Sequence, residues 1–359
     1  MDPKIHILYN FVEGPWGGGN QFLKALRSYF KNTGVYTETP KNADVIFFNS
    51  HHCLEDALKI KKKCPNKIFI HRLDGPIFYS RGGEGKIIDD ILFRGKSRRL
   101  DEIIFHANKA FADGTIFQSN WSRIKNYELG LKRSPNEIVI INAPDPSIFN
   151  RKDTKEFEKE KVKLIAISWF ADIRKGFDMY RFLDENLDFD KYAMTFVGNS
   201  QIQFKNIKWT KPVPSQEVAR ILKEHDIYIT ASRNDPCSNA LIEALHCGLP
   251  AVAINDGGHP EILGEAGELF EDEEGVIIAI EKIVQNYERY RDRITLPTLN
   301  SVGQKYYRFA KSIYDDYSED NYRLKEIHFF NKAYLKFRIK NWIKNSSFRM
   351  KNWINDFDL

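Results

Sequence analysis

The chain has 359 residues, of which 42% are hydrophobic and 29% are charged. At roughly 150 residues per domain this length predicts two globular domains, and the composition excludes a disordered chain. The net charge is +5, and residues 323–359 contribute +6 through nine basic and three acidic residues, which leaves −1 for residues 1–322. A nearly neutral body excludes nucleic acid as the expected partner, because such proteins carry a basic face on the domain itself.

The sequence shows no targeting or metal-binding signature. No apolar stretch approaches the ~18 residues of a membrane span, and the N-terminus lacks the features of a secretory signal. The four cysteines form no C-x-x-C pair, which disfavours a disulfide framework and a zinc site. We therefore expect a reduced, cytoplasmic compartment.

Short apolar runs alternate with helical patterns through the first 150 residues. The predicted strands lie near 4–9, 43–48, 67–71, 114–118 and 137–141, and the predicted helices near 20–32, 53–63 and 86–111. Strands separated by helices indicate βαβ units and a parallel sheet. We expect residues 1–150 to form one Rossmann-like domain.

A second βα series follows the charged run at 151–163, which we interpret as an interdomain linker. Its predicted strands lie near 163–168, 193–197, 226–230 and 251–254, with helices near 215–224 and 238–247. Doubly wound parallel sheets bind ligands at the carboxyl ends of their strands. Two such sheets in tandem predict an α/β protein with a ligand site in the cleft between them.

Two acids flank the predicted helix start near residue 238. Asp235 precedes the helix and Glu243 lies inside it. Ser238 and Asn239 are residues that cap helices, and the backbone amides of such a first turn attract phosphate. In the alternative interpretation, Glu243 is an ordinary surface residue of an amphipathic helix.

Four further candidate segments follow predicted strands. They are the glycine loop with Gly17 and Gly18, the strand end with His71, Arg72 and Asp74, the basic pair Arg174 and Lys175, and the glycine pair Gly257 and Gly258. Glycines let backbone approach a ligand closely, and cations at a strand end can clamp a diphosphate. Each segment alone fits a plain turn or a structural histidine better than a binding site. Together they indicate one cleft, because all lie at carboxyl ends of parallel strands.

The order of these motifs resembles that of GT-B nucleotide-sugar glycosyltransferases of the retaining family 4, over roughly residues 4–317. The strongest stretch is 226–261. There Asp235 and Glu243 keep the family's spacing of two acids eight positions apart, with Asp in place of the usual first Glu. The family's G-G-x-x-E element occupies 257–261.

The resemblance implies a role for each candidate. Glu243 would hold the ribose hydroxyls of the sugar donor, Asp235 would contact the transferred sugar, and Lys175 would neutralise the diphosphate. His71 would touch the transferring sugar, so that His71, Asp235 and Lys175 form the catalytic group. The remaining donor-binding positions would be Gly17, Gly18, Arg174, Ser238, Asn239, Gly257 and Gly258, and the acceptor-side candidates are Arg72 and Asp74.

One departure from the family concerns the diphosphate. The family's Gly-Arg-Leu element is replaced by Ser168-Trp169-Phe170, so the usual arginine is missing. Arg174 stands nearby as a shifted substitute. The D-x-D matches at 188–190 and 356–358 are not expected to hold a metal, because one precedes a strand and the other lies in the tail.

The resemblance implies a hexosyltransferase-type enzyme of class EC 2.4. It would transfer a sugar from a UDP- or GDP-sugar to a glycan or lipid-linked acceptor with retention, without a metal or a permanently bound cofactor. Residues 1–150 would be the acceptor-side domain, joined by a returning helix at about 301–330, and residues 151–300 the nucleotide-sugar-binding domain. Two alternatives stay open: an enzyme resembling UDP-sugar 2-epimerase, and a non-catalytic scaffold that binds sugar or nucleotide.

Residues 331–359 form a basic tail with an internal echo. Residues 337–345 and 348–356 match at six of nine positions with an offset of 11 residues, close to three helical turns. Trp342 and Trp353 therefore share one face of a predicted amphipathic helix whose other face is basic. This pattern favours peripheral binding to an anionic membrane surface at its inner face. A protein contact and a disordered tail are the alternatives.

Overall fold

The computed structural model describes residues 2–14, 17–81 and 87–327. The tail predicted at 331–359 lies outside these ranges. Within them, no helix combines the length and apolarity that crossing a bilayer requires.

The first sheet contains five parallel strands in the order β1-β2-β3-β4-β5. The strands are β1 Ile5–Leu8, β2 Val45–Asn49, β3 Ile68–Leu73, β4 Gly114–Phe117 and β5 Glu137–Val139. The accompanying helices are α1 Gly18–Asn32, α2 Leu54–Lys63, α3 Ile77–Arg81, α4 Ile87–Phe111 and α5 Asn120–Glu128. Every predicted strand is present, but β3 runs two residues beyond its predicted end.

The second sheet contains six parallel strands in the order β11-β10-β9-β6-β7-β8. Its strands are β6 Val162–Ser168, β7 Tyr192–Gly198, β8 Lys208–Thr210, β9 Ile227–Thr230, β10 Ala251–Ile254 and β11 Gly267–Phe270. Its helices are α6 Phe177–Asn186, α7 Ser215–Leu222, α8 Asn239–His246, α9 His259–Leu263, α10 Glu273–Gln285 and α11 Tyr287–Asp292. The chain winds outward from β6 in both directions, so the topological switch point lies between β6 and β9.

A last helix, α12 Leu299–Ser318, returns from the second sheet to the first. Its buried residues Val302, Tyr306 and Ile313 pack with α1 against one face of the first sheet. Helices α2 and α4 cover the opposite face. Strands covered on both sides bury consecutive residues, which explains why their sequences are continuous apolar runs. We refer to the first sheet with its helices, including α12, as the N-lobe and to the second sheet with its helices as the C-lobe.

The two lobes touch where the strands of both sheets end. The Asn142 side chain of the N-lobe donates a hydrogen bond to the Asn239 side chain at the start of α8, over 3.0 Å. A Cβ atom placed on Gly75 of the N-lobe would lie 2.8 Å from Pro236 Cβ. The carboxyl ends of the two sheets therefore line one cleft, as the sequence predicted.

Candidate active site

The start of α8 forms the centre of the cleft. The Ser238 hydroxyl accepts a hydrogen bond from the Leu241 N–H, so it caps the helix as the sequence predicted. Leu241 and Leu245 are buried in the C-lobe core, which fixes the helix axis. Because Asn239 contacts the N-lobe, the first-turn amides of α8 lie where the two lobes meet. Such a helix start carries partial positive charge that favours an anionic ligand.

Lys175 and Asp235 form an ion pair at the topological switch point. The Lys175 Nζ lies 3.2 Å from Asp235 Oδ2 and donates a second hydrogen bond to Ser232 Oγ over 3.0 Å. Burial alone would raise the pKa of Asp235, but the charges of Lys175 and His259 and the bond from Lys175 hold that pKa below its usual range. The carboxylate is therefore ionised. About 30% of the Lys175 side chain is exposed, so its charge is accessible from the cleft.

Arg174 does not join this pair. Its guanidinium donates two hydrogen bonds to the Asp172 carboxylate, over 2.7 and 2.6 Å. Asp172 thus compensates the charge of Arg174, the residue that the sequence analysis offered as a substitute for the family's diphosphate arginine. A ligand would need to draw the Arg174 side chain away from Asp172 before it could use that charge.

Glu243 faces a cavity of about 270 Å³ between α1, α7 and α8. The cavity is lined by residues of both lobes, including Gln21, Lys24, Pro144, Gln216 and Asn239. Burial raises the pKa of Glu243 to about 8, so the carboxyl is largely protonated at neutral pH. A polar group that lines a cavity in this way is unlike the surface residue of the alternative interpretation. Lys175 and Asp235 do not line the cavity, and Asn239 lies between the two parts of the site.

The N-lobe glycine loop packs directly against α8. Gly17 precedes the first residue of α1, and a Cβ atom on Gly17 would lie 3.7 Å from Trp169. A Cβ atom on Gly18 would lie only 2.5 Å from the Cβ of Asn239. Only glycine allows this approach, so the loop closes over the start of α8.

The glycine pair after β10 packs against the loop that carries Asp235. A Cβ atom on Gly257 would lie 2.3 Å from the Asp235 carbonyl oxygen, and one on Gly258 would lie 2.5 Å from that of Pro236. The Gly258 N–H already donates to the Asp235 carbonyl over 2.8 Å, and the Gly257 N–H donates to Asp256. These glycines let two loops of the protein approach each other, and both amides are used within the protein.

His71 is placed differently from the sequence prediction. Because β3 continues to Leu73, His71 lies inside the strand, is fully buried and stacks on Phe48 with ring centroids 4.0 Å apart. Its Nε2 is 2.8 Å from the Ser50 carbonyl oxygen. Burial lowers its pKa to about 3, so the ring is neutral. In this arrangement His71 presents no exposed surface to the cleft, and its contact with the transferring sugar stays a prediction.

Arg72 is also buried, on the opposite face of β3. Its guanidinium donates to Tyr306 of α12, to Asn142 and to Asn49, and forms an ion pair with Asp74 at 3.0 Å. It cannot meet an acceptor directly, but it orients Asp74. The Asp74 side chain is 34% exposed, which keeps the carboxylate available at the cleft.

The sequence interpretation gave no separate role to His259 and Glu261. His259 is completely buried, and its Nδ1 bonds the Ile254 carbonyl. Its Nε2 has no hydrogen-bond partner among the described residues. Glu261 accepts hydrogen bonds from the backbone N–H groups of Asn120 and Trp121, over 2.8 and 2.7 Å. It therefore caps α5 of the N-lobe from the C-lobe, a role that the G-G-x-x-E spacing alone does not reveal.

No group of three or more potential metal ligands occurs within the described ranges. Asp188 of the first D-x-D match accepts a hydrogen bond from the Asp190 N–H and pairs with Lys191. These contacts place it in the turn before β7. The second match lies outside the described residues.

The comparisons with known proteins agree with this architecture. Residues 185–286 match the family model of Glycosyl transferases group 1. An uncharacterized 41.2 kDa protein in the cps region of Klebsiella pneumoniae is 28% identical over 132 residues, which cover 34% of this chain and 37% of that protein. A probable sucrose-phosphate synthase of Thermosipho melanesiensis is 27% identical over 221 residues, 54% of this chain and 50% of the relative. The chain thus spans half or less of the length of these curated relatives.

Solved structures extend the similarity to both lobes. Anabaena Alr3699/HepE in complex with UDP-glucose has a TM-score of 0.60 and 13% identity, covering 88% of this chain and all of that chain. The fold is therefore the two-lobed GT-B fold, as predicted. The family match spans Asp235 and Glu243 and agrees with the predicted resemblance: residues 185–286 of the C-lobe are similar to group 1 glycosyltransferases.

Proposed function

We propose that this protein transfers a hexose from a UDP- or GDP-sugar to a hydroxyl of a glycan or lipid-linked acceptor, with retention of anomeric configuration. The observation that carries the proposal is the Lys175–Asp235 pair at the start of α8, with Glu243 farther along the same helix. An extended nucleotide sugar matches the order of these groups along the cleft. Its nucleoside would occupy the cavity at Glu243, its diphosphate the start of α8 beside Lys175, and its sugar the side of Asp235.

The charges of the site suit the departure of a nucleoside diphosphate. When the anomeric C–O bond breaks, negative charge grows on the leaving phosphate oxygen. Lys175 and the first-turn amides of α8 stabilise that charge because they are already oriented toward it. Asp235, ionised and held by Lys175, accepts hydrogen bonds from hydroxyls of the transferred sugar.

Retention follows if the acceptor attacks from the face that the phosphate leaves. The acceptor oxygen forms the new bond to the anomeric carbon, the bond to the phosphate oxygen breaks, and the acceptor proton passes to that phosphate oxygen. Asp74, exposed at the cleft and oriented by Arg72, accepts the hydrogen bond of a neighbouring acceptor hydroxyl.

Product analysis tests the proposal. Full-length protein is incubated with UDP-glucose or GDP-mannose and a mixture of free sugars as acceptors. We expect nucleoside diphosphate and glycoside in equal amounts, both lost in Lys175→Ala. A changed sugar on the intact nucleotide would indicate the epimerase alternative instead.

A scaffold that binds nucleotide sugars without turnover is the second candidate. The hydrogen bonds of Arg174 to Asp172 favour this candidate, because they withhold the Arg174 charge from a diphosphate. The cation beside Asp235 is then Lys175, which is itself paired with that carboxylate. Nucleotide binding with no product and no slow hydrolysis of the sugar donor would support this candidate.

We further propose that residues 331–359 bind an anionic membrane surface and bring the site to a lipid-linked acceptor on its inner face. The described chain leads toward this tail along the N-lobe, where the Lys325 N–H donates to Asp113 over 2.8 Å and Ile327 is buried. Vesicles with phosphatidylglycerol should sediment wild-type protein but not a variant with Trp342→Gln and Trp353→Gln. Equal sedimentation of the two proteins would exclude this role.

A further inference from the structure

A cluster of rings on the acceptor side of the cleft has no place in the sugar-donor site. We propose that Tyr9, His52 and Asp74 bind an uncharged pyranose ring, the end sugar of an acceptor glycan. This inference rests on the proposed function and specifies the group bound in this corner of the cleft as a neutral end sugar, of a free or a lipid-linked glycan, rather than a lipid phosphate.

The three groups follow neighbouring strands of the N-lobe. Tyr9 comes directly after β1, His52 lies three residues beyond β2, and Asp74 follows β3. The Tyr9 and His52 rings have centroids 5.0 Å apart and planes inclined by 58°. The nearby Asp74 charge adds to the effect of burial in raising the pKa of the Tyr9 hydroxyl. Both rings are partly exposed, and Tyr9 also packs against the N-lobe core. Because they follow the carboxyl ends of β1 and β2, they stand at the edge of the sheet that faces the cleft.

The loop that carries His52 is held in an unusual backbone conformation. Ser50 and Cys53 have φ angles of 45° and 55°, in the left-handed region that non-glycine residues rarely adopt. The Ser50 N–H donates to the Arg72 carbonyl, and its own carbonyl is bonded by His71, each over 2.8 Å. Residues held in such conformations cluster at functional sites. His71 thus acts as a positioning residue for the His52 loop.

Neighbouring aromatic and basic side chains hold the Tyr9 and His52 rings in place. Phe11 meets the Tyr9 ring edge to face at 5.3 Å, and the Arg27 guanidinium lies over Phe11 at 4.0 Å. His51 stacks on His52 with ring centroids 4.2 Å apart. These contacts fix the two rings that face the cleft, so that little side-chain freedom is lost when a ligand binds.

The chemistry of the corner selects a neutral sugar. A pyranose presents an apolar face of C–H groups that packs on aromatic rings, and hydroxyls on its edge that donate to a carboxylate. The Asp74 carboxylate is fixed by Arg72, Asn49 and Gln118, so its position is defined before a ligand binds. A phosphorylated acceptor would bring a second negative charge beside the Asp74 carboxylate, and like charges repel each other at close range.

Saturation-transfer NMR on the full-length protein tests the inference. The probes are methyl glucopyranoside, methyl galactopyranoside and methyl mannopyranoside, each as α and β anomers and each in the presence of UDP. Tyr9→Leu removes the aromatic face, Tyr9→Phe retains it, and Asp74→Asn removes the charge. Trp209→Leu is the matched control, because Trp209 is an aromatic residue that is 47% exposed on the outer strand β8.

We expect saturation of pyranoside ring protons in wild type, in Tyr9→Phe and in Trp209→Leu. The effect should fall about fivefold or more in Tyr9→Leu and Asp74→Asn. Equal saturation in Tyr9→Leu, no saturation with any pyranoside, or binding of a short-chain polyprenyl phosphate in their place would overturn the inference. A thermal shift with UDP, GDP, ADP or CMP is measured on the same samples. Its absence in wild type would contradict the proposed function, whereas its presence without pyranoside binding would contradict the acceptor subsite alone.

Discussion

Replacing Glu243 with glutamine should change how the stability of the protein depends on pH. The Glu243 carboxyl is partly buried at the cavity between the lobes, and no described residue forms an ion pair or hydrogen bond with it. Glutamine keeps its size and polarity but cannot titrate. The comparison therefore isolates the proton of this one group.

The sign follows from the direction of the pKa shift. Burial raises the pKa of Glu243 from 4.5 to about 8, so the folded protein binds a proton that the unfolded chain has released. The associated stability is fully present below pH 4.5 and is lost as the pH rises toward 8. At ~1.4 kcal/mol per pKa unit, reduced for partial exposure, wild type should lose about 2–4 kcal/mol relative to Glu243→Gln between pH 5 and 8. That corresponds to roughly 5–10 °C in Tm for domains of this size.

Thermal unfolding at pH 5, 6, 7 and 8, followed by circular dichroism, measures the difference. The two proteins should have similar Tm values at pH 5, and the variant should unfold at a higher temperature at pH 8. Glu268→Gln is the control, because it makes the same replacement at a glutamate that pairs with Lys282 on the C-lobe and does not line the cavity. Parallel curves for wild type and Glu243→Gln would refute the reasoning, because they would mean that the carboxyl ionises normally in the folded protein.

Three further outcomes follow from the same site. Gly18→Ala should weaken the UDP-induced thermal shift, because its Cβ would strike α8, whereas Gly19→Ala, with open space around it, should not. Glu261→Gln should speed amide exchange at the start of α5 about fivefold, because the cap that it weakens stabilises the helix by ~1 kcal/mol. Glu265→Gln is the control, because Glu265 pairs with Arg293 inside the C-lobe. Unchanged exchange in Glu261→Gln, or equal acceleration in the control, would contradict the cap across the lobes. UDP binding at pH 7 should release close to one proton if ribose hydroxyls bond the ionised Glu243, and calorimetry in two buffers should find no release in Glu243→Gln.

The sequence predicted the sheet cores well because buried parallel strands are continuous apolar runs. The strand at residues 251–254 is found with the same bounds. The edge strands β8 and β11 were not predicted. They have three and four residues, and β8 has two exposed residues of three, so neither shows the apolar run that marks a central strand.

The placement of site residues depended on where strands end. The prediction ended β3 at residue 71, whereas β3 continues to Leu73 because Arg72 and Leu73 still pair with β4. Because β3 is two residues longer than predicted, His71 lies in the core and not at the cleft. Asp74 is therefore the first accessible residue after the strand. Lys175 and Asp235 lie together because each follows one of the two strands at the topological switch point. The sequence predicted both of these strands, and therefore placed both residues at one cleft.

Contacts between separate segments of the chain, within a lobe or across the two lobes, could not be read from the sequence. Gly257 is a glycine because another loop of the same lobe lies against it, and Gly18 because α8 does. Glu261 caps a helix that begins about 140 residues earlier in the chain. Sequence spacing identifies such residues as unusual, but only the folded chain shows which backbone approaches them.

A thermal-shift panel of UDP, GDP, ADP and CMP on wild type and Lys175→Ala tests whether Lys175 holds the diphosphate of a nucleotide sugar. A nucleotide at 100 times its Kd should stabilise the protein by about 2.7 kcal/mol, a rise of roughly 5 °C or more in Tm. Lys191→Ala, which removes an exposed lysine paired with Asp188, is the control. We predict that one nucleoside diphosphate shifts wild type and Lys191→Ala equally and Lys175→Ala much less. The absence of a shift in folded wild type with any nucleotide, or a response of Lys175→Ala as strong as that of the control, would contradict a diphosphate site at Lys175.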